Sequence, residues 1–491
     1  MNVNYGSAPL EKLKGWLTYC GYDPGTRAGV KHTANGYDDA KPQNGVQGNR
    51  WTATEYSSNN AWNCNFGNGN FNNNNNKNNT ISVRPVAAYD IPKDFLLSVF
   101  AAFEDCCRNK RTSFECITYT ERANADIPVL ARELFTQTYQ PGASTCFLVK
   151  YPKYREVFAA GFRDRIVHHW IYLQINHLFE CLFVGQGNVS FNCRAGFGTL
   201  AAQNAAFEAI KAATNNYRQE AWVYRGDLVS FFMSIDKRRL WNRLEAFIKQ
   251  NYTGEHLAQV LYATHTVVFH QPERDCVFNT NPDEWAQYID DNKSLFGNDS
   301  CHGMPIGNLT TQIFANFYMS EFDAWAQRWL RGKGLTPYYV RFVDDFLVVC
   351  ESKPMLKAFV GEAAEYLCAN LGATLHKNKY HFQKASHGVK FVGAYVRNHR
   401  LYLANRTVAR FAERIHGYAD MFTEKECITF ADLQRVQQVT NSYLGFCKGK
   451  RTYNIRKNLL LRFPANFYKY LYIYGHYDCV KVKRAFRLSF S

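Results

Sequence analysis

Two adjacent carboxylates, Asp344 and Asp345, sit between two apolar runs, Tyr338-Tyr339-Val340-Arg341-Phe342-Val343 and Phe346-Leu347-Val348-Val349. Each run is rich in β-branched and aromatic residues and reads as a buried strand. Asp-Asp is turn chemistry, so the segment reads as a hairpin with both acids at its tip. Side by side, two like charges repel, and a chain keeps them at a defined point when a cation neutralises them. Alone, an Asp-Asp turn is more often a solvated loop. A third carboxylate lies upstream, where the β-like run Trp222-Val223-Tyr224-Arg225-Gly226 ends at Asp227 and is followed by Phe231-Phe232. A helix-like stretch begins near Asp236. Alone, Asp227 reads as a strand-end or N-cap residue. Together, an acid at a strand end and two on a distant hairpin are what two-metal phosphoryl transfer needs. Oxygen ligands then hold two Mg²⁺ ions (Mn²⁺ is the alternative), one activating an attacking 3′-hydroxyl and one stabilising the pyrophosphate leaving group. The metal set read here is Asp227, Asp344 and Asp345.

The segments around these acids carry a resemblance. Asp227 with Phe231-Phe232, then Gly303-Met304-Pro305-Ile306-Gly307-Asn308-Leu309-Thr310-Thr311-Gln312, then Phe342-Val343-Asp344-Asp345, resemble the ordered A, B and C motifs of reverse transcriptases. Upstream, Tyr139-Gln140-Pro141-Gly142, Arg155-Glu156-Val157-Phe158-Ala159 and Phe162-Arg163-Asp164-Arg165-Ile166-Val167 resemble the fingers. Arg194-Ala195-Gly196-Phe197-Gly198-Thr199 resembles the glycine-bearing element before the palm. Downstream, Ala373 to Lys379 and Phe391-Val392-Gly393-Ala394-Tyr395 resemble motifs D and E. The resemblance runs from about Asp90 to about Lys457.

It implies an α+β, right-hand polymerase, with fingers, a palm made of an antiparallel sheet backed by helices, and a helical thumb. The expected division is a variable-protein-like segment over 1–88, fingers over 89–220, palm over 221–399 with an insertion at about 252–300, and thumb with a basic tail over 400–491. Arg406 to Ile415 reads as the first thumb helix, basic on one face.

The resemblance also assigns roles. Arg155 matches the fingers residue that contacts an incoming triphosphate, and its fork suits phosphate oxygens; Lys153 lies two residues earlier. Phe232 matches the bulky residue beneath the sugar that excludes a 2′-hydroxyl, with Phe231 packing in the core. Gly307 would admit close approach of nucleotide or template-primer. Lys379 matches the motif D lysine that protonates pyrophosphate, a surface lysine being the alternative. Arg163, Arg165, Arg194 and Gln312 are assigned to primer and template, and Gly393 and Tyr395 to the primer-grip hairpin. For Arg163 and Arg165 the alternative is an ion-pair cluster around Asp164.

Motif B narrows the subtype. Most reverse transcriptases carry Gln-Gly and then Ser-Pro there, whereas this chain has Ile306-Gly307 and then Thr311-Gln312, which resembles the enzymes of diversity-generating retroelements. Ile306 cannot make the hydrogen bond of the Gln it replaces, which would weaken discrimination between nucleotides; simple packing is the alternative. In that family the enzyme is error-prone opposite template adenines. The Asn-rich stretch from Arg50 through Asn79, closed by Val83-Arg84-Pro85-Val86, resembles the tail of the lectin-like variable proteins those elements diversify. A polar linker is the other reading. Asn codons begin with two adenines, so substitution at adenine reaches many residues and never a stop. The DNA encoding about Arg50 to Val86 is therefore expected to be, or overlap, the template repeat. After Met1 the next methionine is Met233, inside the expected palm.

Composition agrees with these expectations. A net charge of +16 points to a polyanionic partner. Basic clusters at Lys448-Gly449-Lys450-Arg451, Arg456-Lys457 and Lys481-Val482-Lys483-Arg484 interleave with Tyr443, Phe446, Tyr453 and Tyr468, which suits phosphate contact and base stacking. The 15 cysteines lack disulfide or zinc-finger spacing and read as reduced thiols. No signal-like start or long apolar run is present, so the expected setting is cytoplasmic, in a bacterial or phage system, with no membrane partner. Expected partners are template RNA, its cDNA product, dNTPs and a small basic helical accessory protein. Two other readings stay open: a phage-defence or retron-type reverse transcriptase, and a nucleic-acid-binding remnant without catalysis.

Overall fold

The computed structural model describes residues 49–55, 61–65, 71–72, 82–83 and 91–488, apart from 109, 151–152, 281–284, 286 and 377–380. The chain divides into two units: Met1–Thr145 with Ala160–Gln174 and Tyr252–His270, and Cys146–Ala159 with Ile175–Asn251 and Gln271–Ser491. Within the stretch expected as an insertion, 252–270 thus belongs to the first unit and 271–300 to the second.

In the first unit, strands at Asn49–Glu55, Ala61–Asn65, Phe71–Asn72 and Ser82–Val83 form one four-stranded sheet. Helices follow at Lys93–Cys107 and Phe114–Phe135, the second capped by Ser113, whose hydroxyl accepts from Cys116 N. Their apolar stripes meet Trp170 and the helix Leu257–Phe269. Phe95, fully buried, packs against the Trp170 and Phe135 rings, and Trp170 Nε1 donates to Ser98 Oγ at 2.8 Å.

The second unit holds the expected palm. Its sheet has the order His381–Lys384, Trp222–Gly226, Asp345–Cys350, Tyr338–Phe342, with every neighbouring pair antiparallel. Both faces are covered, which explains why Phe346 to Val349 is apolar without a break. On one face, Leu347 and Val349 join Val223 and Val340 beneath Ala202, Ala206, Ile210 and Ala213 of the helix Thr199–Ala213. That helix repeats small residues at helical spacing, so its backbone lies close to the strands. On the other face, Phe346 meets Phe322 of the helix Leu309–Gly332 at 5.1 Å between ring centroids. Each such buried side chain contributes about 1.5–3 kcal/mol. Gly226 stands opposite Phe346, and a Cβ there would lie 2.5 Å from the ring. The sheet can pair at this point because residue 226 has no side chain. A separate three-stranded sheet, Val389–Phe391, Ala394–Arg397 and Arg400–Leu403, follows. The helix Asn405–Glu424 opens a C-terminal bundle whose core includes Phe411, Ile415, Phe422, Leu433 and Leu460.

One charged pair lies inside this apolar frame. Arg341 and Asp323 are each 0% exposed. The guanidinium forks onto Asp323, with Nε to Oδ1 and Nη2 to Oδ2 both 2.6 Å. Nη2 also reaches Asn316 Oδ1 at 2.9 Å, and Nη1 donates to the carbonyl of Val343 at 2.9 Å. The Arg341 main chain pairs with Val189 and Phe191. Removing one partner of a buried pair leaves an uncompensated charge. Asp323→Ala is therefore expected to cost about 3–5 kcal/mol, read from the urea midpoint, and adding Arg341→Met is expected to restore most of it.

Candidate active site

The hairpin forms, but its turn lies one residue earlier than the Asp-Asp pair expected at the tip, and Asp345 begins the second strand. Tyr338–Phe342 and Asp345–Cys350 pair with Phe342 opposite Asp345, so Val343 and Asp344 are the two turn residues. Val343 takes a left-handed φ of 60°, unfavourable for a β-branched residue, and Arg341 holds its carbonyl from below. Asp227 follows the neighbouring central strand. Its carbonyl accepts from His376 N at 2.9 Å, and Val229 N donates to Thr374 O at 2.9 Å, so the motif D segment fixes the start of this loop. Asp236 Oδ1 then accepts from the amides of Arg238 and Arg239, starting the helix Lys237–Asn251.

The three carboxylates share one end of the sheet, in different electrostatic states. Burial, with Asp227 and then Asp345 as charged neighbours, pushes the Asp344 carboxyl up to about 6, while Arg155 opposes the rise. Burial also pushes Asp345 up, opposed by Arg225. Arg225 forks onto Asp345, with Nε to Oδ1 at 2.7 Å and Nη2 to Oδ2 at 2.8 Å. Among the described residues, no three His, Cys, Asp or Glu side chains come together as one metal-holding group. The donors that fit a divalent cation are Asp227 and Asp344, two carboxylates that act electrostatically on each other and whose mutual repulsion a cation would relieve.

The fingers strand Arg155–Ala159 alternates exposed and buried residues, presenting Arg155 and burying Glu156 and Phe158. Arg155 acts electrostatically on Asp344, and Lys153 on Asp345. Glu156 turns the other way and accepts from Leu295 N at 2.8 Å and from the Ser294 hydroxyl, tying down the loop before motif B. Phe158 N donates to Ile306 O at 2.8 Å. Ile306 and Phe232, both partly buried, pack against the cluster Cys146, Phe158, Met233 and Leu295. Phe231 is 3% exposed and belongs to the core. Gly307 has φ 135°, and a Cβ there would lie 2.6 Å from Phe158 O. The close approach that requires glycine is therefore made by the fingers backbone.

Other sequence-selected residues are placed as follows. Gln312 is exposed, with Cys193 Sγ donating to its Oε1 at 2.6 Å. Gly393 and Val392 form the tight turn between Val389–Phe391 and Ala394–Arg397, and Tyr395 donates to His387 O at 2.6 Å. Arg194 is buried; it binds Glu180, Asn188 Oδ1 and Ser190 O, and lies 4.0 Å over the Phe197 ring. Those bonds engage Nε, Nη1 and Nη2 within the protein. In the first unit, Arg163 pairs with Glu133 and Asp164, and Arg165 with Glu115 at 2.7 Å. Asp164 itself accepts from Tyr139 Oη at 2.8 Å and Gly142 N at 2.9 Å. Lys379 lies outside the described residues. Phe446, Tyr453 and Tyr468 are exposed among the C-terminal basic residues, while Arg456 pairs with Asp478 and Tyr443 stacks on Phe411. Among the described residues, no helix is long and apolar enough to cross a membrane.

Residues 153–396 match the sequence family described as reverse transcriptase (RNA-dependent DNA polymerase). This chain carries a reverse transcriptase domain. Its span runs from Lys153 to the strand after Gly393 and so contains the carboxylates, Arg155, Phe232 and Ile306. No curated protein matches the chain. Solved structures similar to it include apo telomerase from Candida tropicalis, at 12% identity and a TM-score of 0.42, covering 67% of this chain and 57% of that one. Telomerase from Candida albicans with a fragment of telomeric RNA gives 11%, 0.41, 67% and 57%. The chain thus spans 57% of the length of either telomerase.

Sequence reasoning missed Arg225, Arg341 and Asp323 as supports of the site. For the two arginines the available signal was a charged residue inside an apolar strand, which must find a partner when buried; Asp323 lies in the helix Leu309–Gly332 and gave no such signal.

The raised Asp344 sets a pH dependence. Its folded value, about 6, lies above that of an unfolded carboxyl, so the metal-free fold loses stability as pH rises from about 4 through about 6. Asp344→Asn removes that loss. In the absence of metal it is expected to melt higher than wild type at pH 7.5, by about 1–3 kcal/mol. The advantage should shrink towards zero near pH 4, as followed by thermal denaturation across a pH series.

Proposed function

We propose that this protein is an RNA-templated DNA polymerase that makes adenine-mutagenic cDNA from the template-repeat RNA of a diversity-generating retroelement. The observation that carries the polymerase reading is the sheet end where Asp227 and Asp344 act electrostatically on each other, with Arg155 at the start of the fingers strand acting on Asp344 and Lys153, two residues before that strand, acting on Asp345. The two acids would hold Mg²⁺, which supplies activation of the primer 3′-hydroxyl and neutralisation of the leaving pyrophosphate. Arg155 and Lys153 are exposed cations positioned to receive a triphosphate. Phe232 packs against the same cluster as Ile306, and its ring would meet a 2′-hydroxyl and favour deoxynucleotides. The apolar packing of Ile306 supports the mutagenic subtype, because an apolar side chain offers the nascent pair no hydrogen bond to lose when the pair is wrong. The exposed aromatics among C-terminal basic residues suit the template RNA and its cDNA. A small basic helical accessory protein completes the partner set of this reading.

The test is cDNA synthesis by the purified chain, with dNTPs and Mg²⁺, on RNA spanning its own Arg50 to Val86 coding region, followed by sequencing. Substitutions concentrated at template adenines are expected. Faithful cDNA would instead favour a defence or retron role. Asp344→Asn is expected to abolish cDNA while retaining RNA binding, and retention of synthesis would refute the assigned chemistry. Ile306→Gln should lower misincorporation at adenines by roughly tenfold. Phe232→Ala should raise ribonucleotide incorporation by about 10- to 100-fold, measured with single rNTPs.

A further inference from the structure

We propose that Arg225 is a positioning residue of the active site: its guanidinium holds Asp345 out of the metal-ligand set and locks the strand end carrying Asp227 to the hairpin carrying Asp344. This rests on the polymerase reading above and assigns different duties to the adjacent acids. Both Asp345 oxygens are engaged by the Arg225 fork, at 2.7 and 2.8 Å, with each side chain about four-fifths buried. A planar fork on a carboxylate is the most directional ion pair that side chains make. It joins two neighbouring strands, since Arg225 sits opposite Leu347 and Asp345 lies two residues from it. Asp227 is two residues beyond Arg225, and Asp344 is the residue before Asp345. The fork therefore fixes the two remaining acids from both sides. It also offsets one of three negative charges at the sheet end.

A double-mutant cycle on Mn²⁺ binding, followed by electron paramagnetic resonance of the free ion with the full chain, tests this assignment. Wild type should bind Mn²⁺, and Asp227→Asn or Asp344→Asn should weaken binding by about tenfold or more. Arg225→Met frees a third carboxylate and should tighten binding by about fivefold or more, the opposite of what loss of a merely structural contact would do. Adding Asp345→Asn to Arg225→Met restores the original charge and should return the affinity to within about twofold of wild type. Unchanged or weaker binding by folded Arg225→Met overturns the proposal, as does a tenfold loss in the double variant. A wild-type chain that binds no Mn²⁺ overturns the polymerase reading and this proposal with it. In case the variants do not fold, a wild-type crystal soaked in Mn²⁺ decides the point. Asp345 still forked to Arg225 supports the proposal, and an Asp345 oxygen at about 2.2 Å from the ion overturns it.

Discussion

The active hairpin stands on a buried ion pair. A two-residue turn with Val343 at positive φ is an unfavourable place for a β-branched residue. The support comes from beneath, where Arg341 gives one nitrogen to the Val343 carbonyl and the rest of its fork to Asp323 and Asn316. Burying these charges is costly, and an apolar substitute could pack as well. What the pair adds is geometry. The guanidinium ties the helix Leu309–Gly332 to the hairpin turn, while the main chain of the same residue pairs with Val189 and Phe191, so one residue anchors the turn that carries Asp344 to both.

Electrostatics then organises the surface above. Three carboxylates at one sheet end would repel each other, and the protein treats them unequally. Burial raises both hairpin acids, but Asp345 receives a fixed cation from the adjacent strand that opposes the rise, whereas Asp344 is raised further by the charge of Asp227. The strand Arg155–Ala159 and the residues just before it supply two exposed cations, Arg155 acting on Asp344 and Lys153 on Asp345. Strand alternation separates these duties: Arg155 points out while Glu156 points in to anchor the loop before motif B.

Much of this was legible in the order of residues. The hairpin, the Asp227 strand end and the helix after Asp236 follow from apolar runs, turn chemistry and capping, all local in sequence. The antiparallel palm sheet and the helical bundle after it follow from the reverse transcriptase motifs. Less legible were the duties of the arginines. Arg194 was selected as a nucleic-acid contact, yet its donors go to Glu180, Asn188 and Ser190. For Arg163 and Arg165 the ion-pair alternative was legible, and they pair with Glu133, Asp164 and Glu115. A guanidinium looks the same in sequence whether its partner is a phosphate or a carboxylate folded beside it. Gly307 is a similar case, its glycine required by the Phe158 carbonyl.

By itself, then, the chain's sequence determined the chemistry and the local shapes: acids at a turn and at a strand end, a fork-bearing fingers strand, and apolar Ile306 in motif B. These depend on side-chain type and on spacing within a few residues, which the linear order contains. Only the tertiary structure decided which acid meets a cation, which arginines remain available and why two glycines cannot carry a side chain. Arg225 and Asp345 lie 120 positions apart, and Glu156 and Leu295 lie 139 apart. Pairings at such distances are chosen by packing the strands and helices into one core, because burial forces each charge to take whichever partner the folded backbone brings within reach.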